Sequence, residues 1–188
     1  MKFKVTKLNN AIQVGEQIPM EQYNGNIGRW IEDRLEELGY TINRGYGPDL
    51  LQMGVEVKSR LESSTSGHTV SSMHPDDIAN TEWEDTNLCA KIQLQYRVYY
   101  NDDSVVTCAE IFDFTDSDIQ ALLKKSYDEG RKMLQDPNAG NYVRSKDCIA
   151  YFEGQENGYY QFRLSNAGMK RIERMSKQPS FSKFFEAA

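Results

Sequence analysis

Residues 47–58 read GPDLLQMGVEVK. Val55 and Val57 alternate with Glu56 and Lys58, the period-two pattern of a strand with one buried face. Glu56 and Lys58 therefore share the face turned away from the valines. Asp49 follows Gly47-Pro48, a turn-prone pair, and Gln52-Met53-Gly54 leaves room for a bend or hairpin before Glu56. A hairpin would bring the Asp49 carboxylate beside that of Glu56, and two carboxylates on adjacent backbone make a hard-oxygen site for a cation such as Mg²⁺. Lys58 is then placed to orient a water or to stabilise charge on a phosphate. The plainer reading of the same triplet is an exposed strand with an ion pair, and such pairs contribute little.

The segment upstream bears on that choice. Residues 25–39, GNIGRWIEDRLEELG, predict an amphipathic helix from about Asn26 to Leu38. Ile27, Trp30, Ile31, Leu35 and Leu38 form one apolar stripe, and Gly39 is a natural stop. Glu32 follows Ile31 and lies one turn from Leu35, at the margin of the buried face. A carboxylate there is either a solvated flank or an acid aimed at a cation on the neighbouring sheet, since buried acids are rare unless paired.

The order Gly25-x-x-Gly28-x-x-x-Glu32, Pro48-Asp49, Gly54-Val55-Glu56-Val57-Lys58 resembles the PD-(D/E)xK nuclease superfamily. Within it the chain is similar to the branch holding the mismatch-repair endonuclease MutH and related type II restriction endonucleases. The resemblance is tight from Gly25 to Lys58, under a fifth of the chain, and loose beyond. It implies a restriction-endonuclease-like α/β core with a mixed central sheet flanked by helices. It implies Asp49 and Glu56 as ligands of Mg²⁺, with Mn²⁺ able to substitute, Glu32 as a supporting helix acid, and Lys58 as the catalytic lysine. Such enzymes can carry a further lysine on a following strand, a role that falls to Lys91. The expected activity is sequence-specific endonucleolytic hydrolysis of phosphodiester bonds in double-stranded DNA, of restriction or repair type, leaving a 5′-phosphate.

Composition agrees with one folded domain of 188 residues, long enough to bury a sizeable core. Its catalytic part is expected at about residues 25–114 and a DNA-contacting part at about 115–188. No run approaches a membrane span, and the start Met1-Lys2-Phe3-Lys4-Val5 lacks the apolar stretch of a signal peptide. Cys89, Cys108 and Cys148 are far apart and odd in number, and they read as reduced thiols of a cytoplasmic protein.

Net charge of -6 opposes a nucleic-acid partner, because DNA binders often carry a basic footprint. Its distribution softens this. From Arg144 to Ala188 there are eight Lys/Arg against five Asp/Glu, so the acidity lies elsewhere, partly in the expected cation site. Lys170, Arg171, Arg174 and Lys177 crowd the last predicted helix, about Asn166 to Ser176, with Met169, Ile172 and Met175 at apolar spacing. Lys170, Arg174 and Lys177 are the candidates for phosphate-backbone contact, against the plainer reading of a solvated basic face.

Elsewhere the pattern predicts a short strand at Thr41 to Arg44 and a polar functional loop from Ser59 to about Asn87, with at most a short helix near Asp76 to Asn80. Strands follow at Ala90 to Tyr100 and Ser104 to Phe114, joined at Asn101-Asp102-Asp103. A helix starts near Thr115–Asp118 and ends before Pro137, and a strand pair covers Cys148 to Phe152 and Tyr159 to Leu164. His68 and His74 have no metal spacing, and no Gly-rich Lys-Ser/Thr loop signals nucleotide use. Two rival functions remain: a structure-selective repair or junction nuclease, and a non-catalytic DNA-binding or assembly subunit that keeps the nuclease fold. A homodimer and a partner subunit are both compatible with the sequence.

Overall fold

The computed structural model describes residues 8, 10–45, 48–51, 53–86 and 94–176. The fold is mixed α/β, with four helices among the described residues and strands in two separate sheets. These belong to two compact units. The first takes the described residues up to Thr65 and those from 94 to 114; the second takes residues 66–86 and 115–176.

In the first unit, helix α1 (Ile27–Glu37) precedes strand β1 (Val55–Leu61), and β3 (Leu94–Tyr100) and β4 (Val106–Asp113) complete a sheet ordered β1-β3-β4. β1 pairs with β3 in parallel and β3 with β4 antiparallel, so the sheet is mixed. Helix α1 forms where the apolar spacing predicts it. The Asn26 side chain accepts a hydrogen bond from the Arg29 N–H at 3.1 Å and caps the start. At the end, the Tyr40 N–H donates to the Leu35 carbonyl at 3.0 Å and the Gly39 N–H to that of Glu36 at 2.9 Å. This is a Schellman closure, and it needs the left-handed backbone that Gly39 supplies at φ +87°.

Ile27, Trp30, Ile31 and Leu35 are buried against Val55, Val57, Tyr96 and Val98 of the sheet. Leu38, expected in that stripe, is the C-cap residue and is 52% exposed. The expected strand at Thr41 to Arg44 does not form. That segment is instead tied to the loop ahead, its Asn43 N–H donating to the Asp49 carbonyl at 2.7 Å.

The second unit holds an antiparallel sheet ordered β2-β7-β6-β5, built from β2 (His68–Met73), β5 (Tyr142–Val143), β6 (Ala150–Gly154) and β7 (Tyr160–Leu164). Its helices are α2 (Pro75–Asn80), α3 (Ser117–Leu134) and α4 (Asn166–Ser176). Tyr127 of α3 packs edge-on against Phe152 and Phe162 at centroid separations of 5.7 and 6.2 Å. The stretch expected as a loop from Ser59 to about Asn87 is corrected on two counts. Its first residues continue β1 to Leu61, and residues 68–73 form β2, paired with β7 across nearly a hundred residues of sequence. His-Thr-Val-Ser-Ser-Met has too few large apolar groups to announce a strand, and a register shift between Thr69 and Ser71 breaks the alternation. Among the described residues no helix is long and apolar enough to cross a membrane.

Candidate functional site

The turn between Asp49 and Glu56 is the hairpin that the spacing predicts. Leu50 and Val55 exchange backbone hydrogen bonds at 2.9 and 3.3 Å, and Gly54 closes the loop at φ +65°, in the left-handed region that glycine enters without strain. Asp49 sits one residue before the bridge, and its Oδ2 accepts a hydrogen bond from the Val57 N–H at 2.6 Å. Among the described residues β1 is an edge strand of its sheet, so the carboxylate occupies the backbone donor between Glu56 and Lys58. Sequence and backbone together therefore place an aspartate, a glutamate and a lysine within one strand turn of each other.

Glu56 and Lys58 share the face opposite the buried Val55 and Val57. Lys58 Nζ donates to Glu56 Oε1 at 2.6 Å, with the two side chains 22% and 12% exposed. With limited access to water the attraction within this pair is screened less than in the exposed ion pair of the plainer reading, against a larger desolvation cost.

Glu32 approaches from α1. Burial raises the proton affinity of its carboxyl first, and the negative charge of Asp49 raises it further, while Arg29 and Arg44 oppose the shift. The outer edge of α1 carries a charged lattice that fixes those arginines, with Arg29 on Asp33 at 2.9 Å and Arg44 on Glu36 at 2.8 Å.

Asp49 and Glu56 on the hairpin and Glu32 on α1 are hard-oxygen donors of the kind Mg²⁺ takes, and a divalent cation would offset the negative charge of Asp49 that Glu32 feels. The donor chemistry fits. Among the described residues, however, no three His, Cys, Asp or Glu side chains converge into a ready cation cage. Glu56 is turned to Lys58, so the trio is near but not assembled.

The shift at Glu32 has a thermodynamic consequence. The folded Glu32 carboxyl binds its proton more tightly than the unfolded one, so between the unfolded value and the raised folded value the native state holds more protons and stability falls as pH rises. Glu32→Gln removes that loss. The variant is expected to melt higher than wild type at about pH 7 and equal to it at about pH 3, where both carboxyls are protonated. Thermal unfolding at the two pH values checks this, and a lower melting temperature at neutral pH would show that Glu32 stabilises the fold.

Lys91 and Lys177 lie outside the described residues. Lys170 and Arg174 are exposed on α4, as is Arg171, with Met169 and Ile172 buried beneath them. They belong to the second unit, whereas Glu32, Asp49, Glu56 and Lys58 all belong to the first. His74 caps α2, its Nδ1 accepting from the Asp76 N–H at 3.3 Å, and His68 lies in β2. Sequence reasoning missed Gln95 and Arg97, both buried on β3. A polar residue at every second strand position reads as a water-facing row, and only the three-dimensional structure reveals that this row is covered.

Compared with known protein families and with curated proteins, the chain matches none.

Proposed function

We propose that the protein is a Mg²⁺-dependent DNA endonuclease with a restriction-endonuclease-like core in its first unit. The observation that carries the reading is the Asp49 carboxylate held on the Val57 N–H, between Glu56 and Lys58, with Glu32 in electrostatic reach. An aspartate tied to the backbone of an edge strand between a paired glutamate and lysine is more charge than the protection of an edge needs.

In this reading Asp49 and Glu56 would hold the cation and Glu32 would support it. The cation supplies charge stabilisation to the scissile phosphate and its leaving oxygen. Lys58, on the same strand face, holds and orients the attacking water or the phosphate oxygen in line. The Asp49–Val57 hydrogen bond fixes the carboxylate to the sheet, so the acid is in place before substrate arrives.

Purified protein incubated with supercoiled plasmid in Mg²⁺, beside an EDTA control, tests the proposal. Nicked or linear DNA in the first and intact DNA in the second supports it. Intact plasmid in both leaves the subunit reading, in which the fold binds without cutting.

The exposed basic face of α4 is proposed as a phosphate-contacting surface. Replacing Lys170 and Arg174 with Ala is expected to weaken binding to all duplex sequences alike. The slope of log affinity against log salt should flatten by about 0.9 for each phosphate that the variant no longer neutralises. Binding titrations in Ca²⁺ at several salt concentrations read the slope. An unchanged slope and affinity would make this a solvated face, and weaker binding to one sequence alone would mean that the helix reads bases.

A further inference from the structure

The parallel register of β1 and β3 sets Arg97 opposite Lys58 and Gln95 opposite Glu56. Paired residues on neighbouring strands project from the same face, about 5 Å apart, so the polar row of β1 continues onto β3. Gln95 is fully buried and Arg97 is 3% exposed. The guanidinium is fixed there. Its Nε donates to Gln95 Oε1 at 3.0 Å, its Nη2 donates to the same oxygen, and its carbon lies 5.8 Å from the ring centroid of Phe112 on β4.

Burial lowers the proton affinity of Arg97, and the charge of Arg60 acts in the same direction while Tyr99 acts against it. Arginine nonetheless remains a cation in proteins. Taking that cation out of water is unfavourable, and an apolar side chain of similar length would fill the position without the cost. The position next to Lys58 gives the charge something to act on.

We propose that Arg97 is a positioning residue of the Glu56–Lys58 site, its buried charge drawing a phosphodiester anion onto that end of the strand pair. The inference rests on the nuclease reading. A charge enclosed in protein acts through a medium of lower dielectric constant than water and is screened little by salt. It therefore favours an anion at the site and opposes a cation there. These two effects have opposite signs, whereas a purely structural role for Arg97 would move both in the same direction.

The test compares wild type, Arg97→Met and Arg97→Gln in plasmid cleavage and in calorimetric titration with Ca²⁺. Arg97→Met is expected to lose at least about tenfold in kcat, with KM for DNA changed by less than about threefold, because the charge acts at the scissile phosphate and not along the duplex. The same variant should bind Ca²⁺ several-fold more tightly. Arg97→Gln removes the charge but keeps a donor for Gln95 Oε1, so it should show the same two changes as Arg97→Met. Unchanged Ca²⁺ affinity in folded Arg97→Met, or wild-type turnover in folded Arg97→Gln, overturns the proposal. Should Arg97→Met not fold, Arg97→Gln decides alone, with lower turnover and tighter Ca²⁺ binding supporting the proposal and wild-type values of either overturning it. A wild type that leaves plasmid intact overturns the nuclease reading and this inference together, while a cutting wild type with indifferent Arg97 variants overturns the inference only.

Discussion

Asp49→Asn and Glu56→Gln are each expected to reduce Mg²⁺-dependent plasmid cleavage by about a thousandfold or more, since the cation's charge stabilisation is worth several kcal/mol at the transition state. The amide replacements matter. The asparagine of the first variant keeps an oxygen that can accept from the Val57 N–H, so the hairpin should stay tied to β1. The glutamine of the second keeps an oxygen for Lys58 Nζ. Both variants should therefore fold, with circular dichroism and melting close to wild type, and lose only the charge that holds the cation. Lys58→Met, by contrast, should lose turnover yet still bind Ca²⁺ in a calorimetric titration, because the ammonium acts on water or phosphate and not as a ligand. Cleavage near the wild-type rate by either folded carboxylate variant removes that carboxylate from the cation site. Loss of Ca²⁺ binding in Lys58→Met would make the Lys58–Glu56 pair a structural element.

The second large effect concerns stability. Gly168→Ala is expected to destabilise the protein by about 3 kcal/mol, at the upper end of the overpacking range. Gly168 lies in the first turn of α4, hard against Ile149, which leads into β6. A Cβ there would run into the carbonyl oxygen of Ile149 and approach its Cβ to 2.9 Å and its carbonyl carbon to 3.0 Å. Backbone cannot move aside as a flexible side-chain tip can. The same carbonyl accepts from the Ser165 N–H at 2.8 Å and from Ser165 Oγ at 3.1 Å, and Ser165 Oγ in turn accepts from the Gly168 N–H at 3.0 Å. Displacing the helix would thus strain its own cap. Gly140→Ala is the control, since nothing lies within 4 Å of its Cβ position, and it should change stability by no more than about 0.5 kcal/mol. Urea denaturation of both variants gives the comparison, and equal midpoints would show that α4 shifts without cost.

Helices were the most legible part of the fold, for a local reason. Asn26 and Asp116 mark two starts, Gly39 marks a stop, and the apolar spacing between them needs no knowledge of distant residues. The Asp49–Lys58 hairpin was legible for the same reason, because turn residues and alternation lie within a dozen positions. What escaped was non-local. β2 becomes a strand only because β7 is there to receive it, and the placement of β1 beside β3 could not be read from either strand alone. The polar row of Gln95 and Arg97 was missed because alternation reports that two faces differ without reporting which one meets water. For the site itself, sequence named the acids and the lysine, while the Asp49–Val57 bond and the charge of Asp49 felt at Glu32 required coordinates.

The pairing of His68–Met73 with Tyr160–Leu164 also bears on how the chain matures on the ribosome. At about 5–20 residues per second, the partner strand emerges on the order of 5–20 s after β2 does. Throughout that interval β2 is a strand-competent segment without its neighbour, the situation in which nascent chains associate edge to edge. Its composition suits the wait: two serines, a threonine and a histidine leave Val70 and Met73 as its apolar groups, too few to make a sticky segment. The polarity that hid this strand from a reader of the sequence also hides it from other unfinished copies of the same protein.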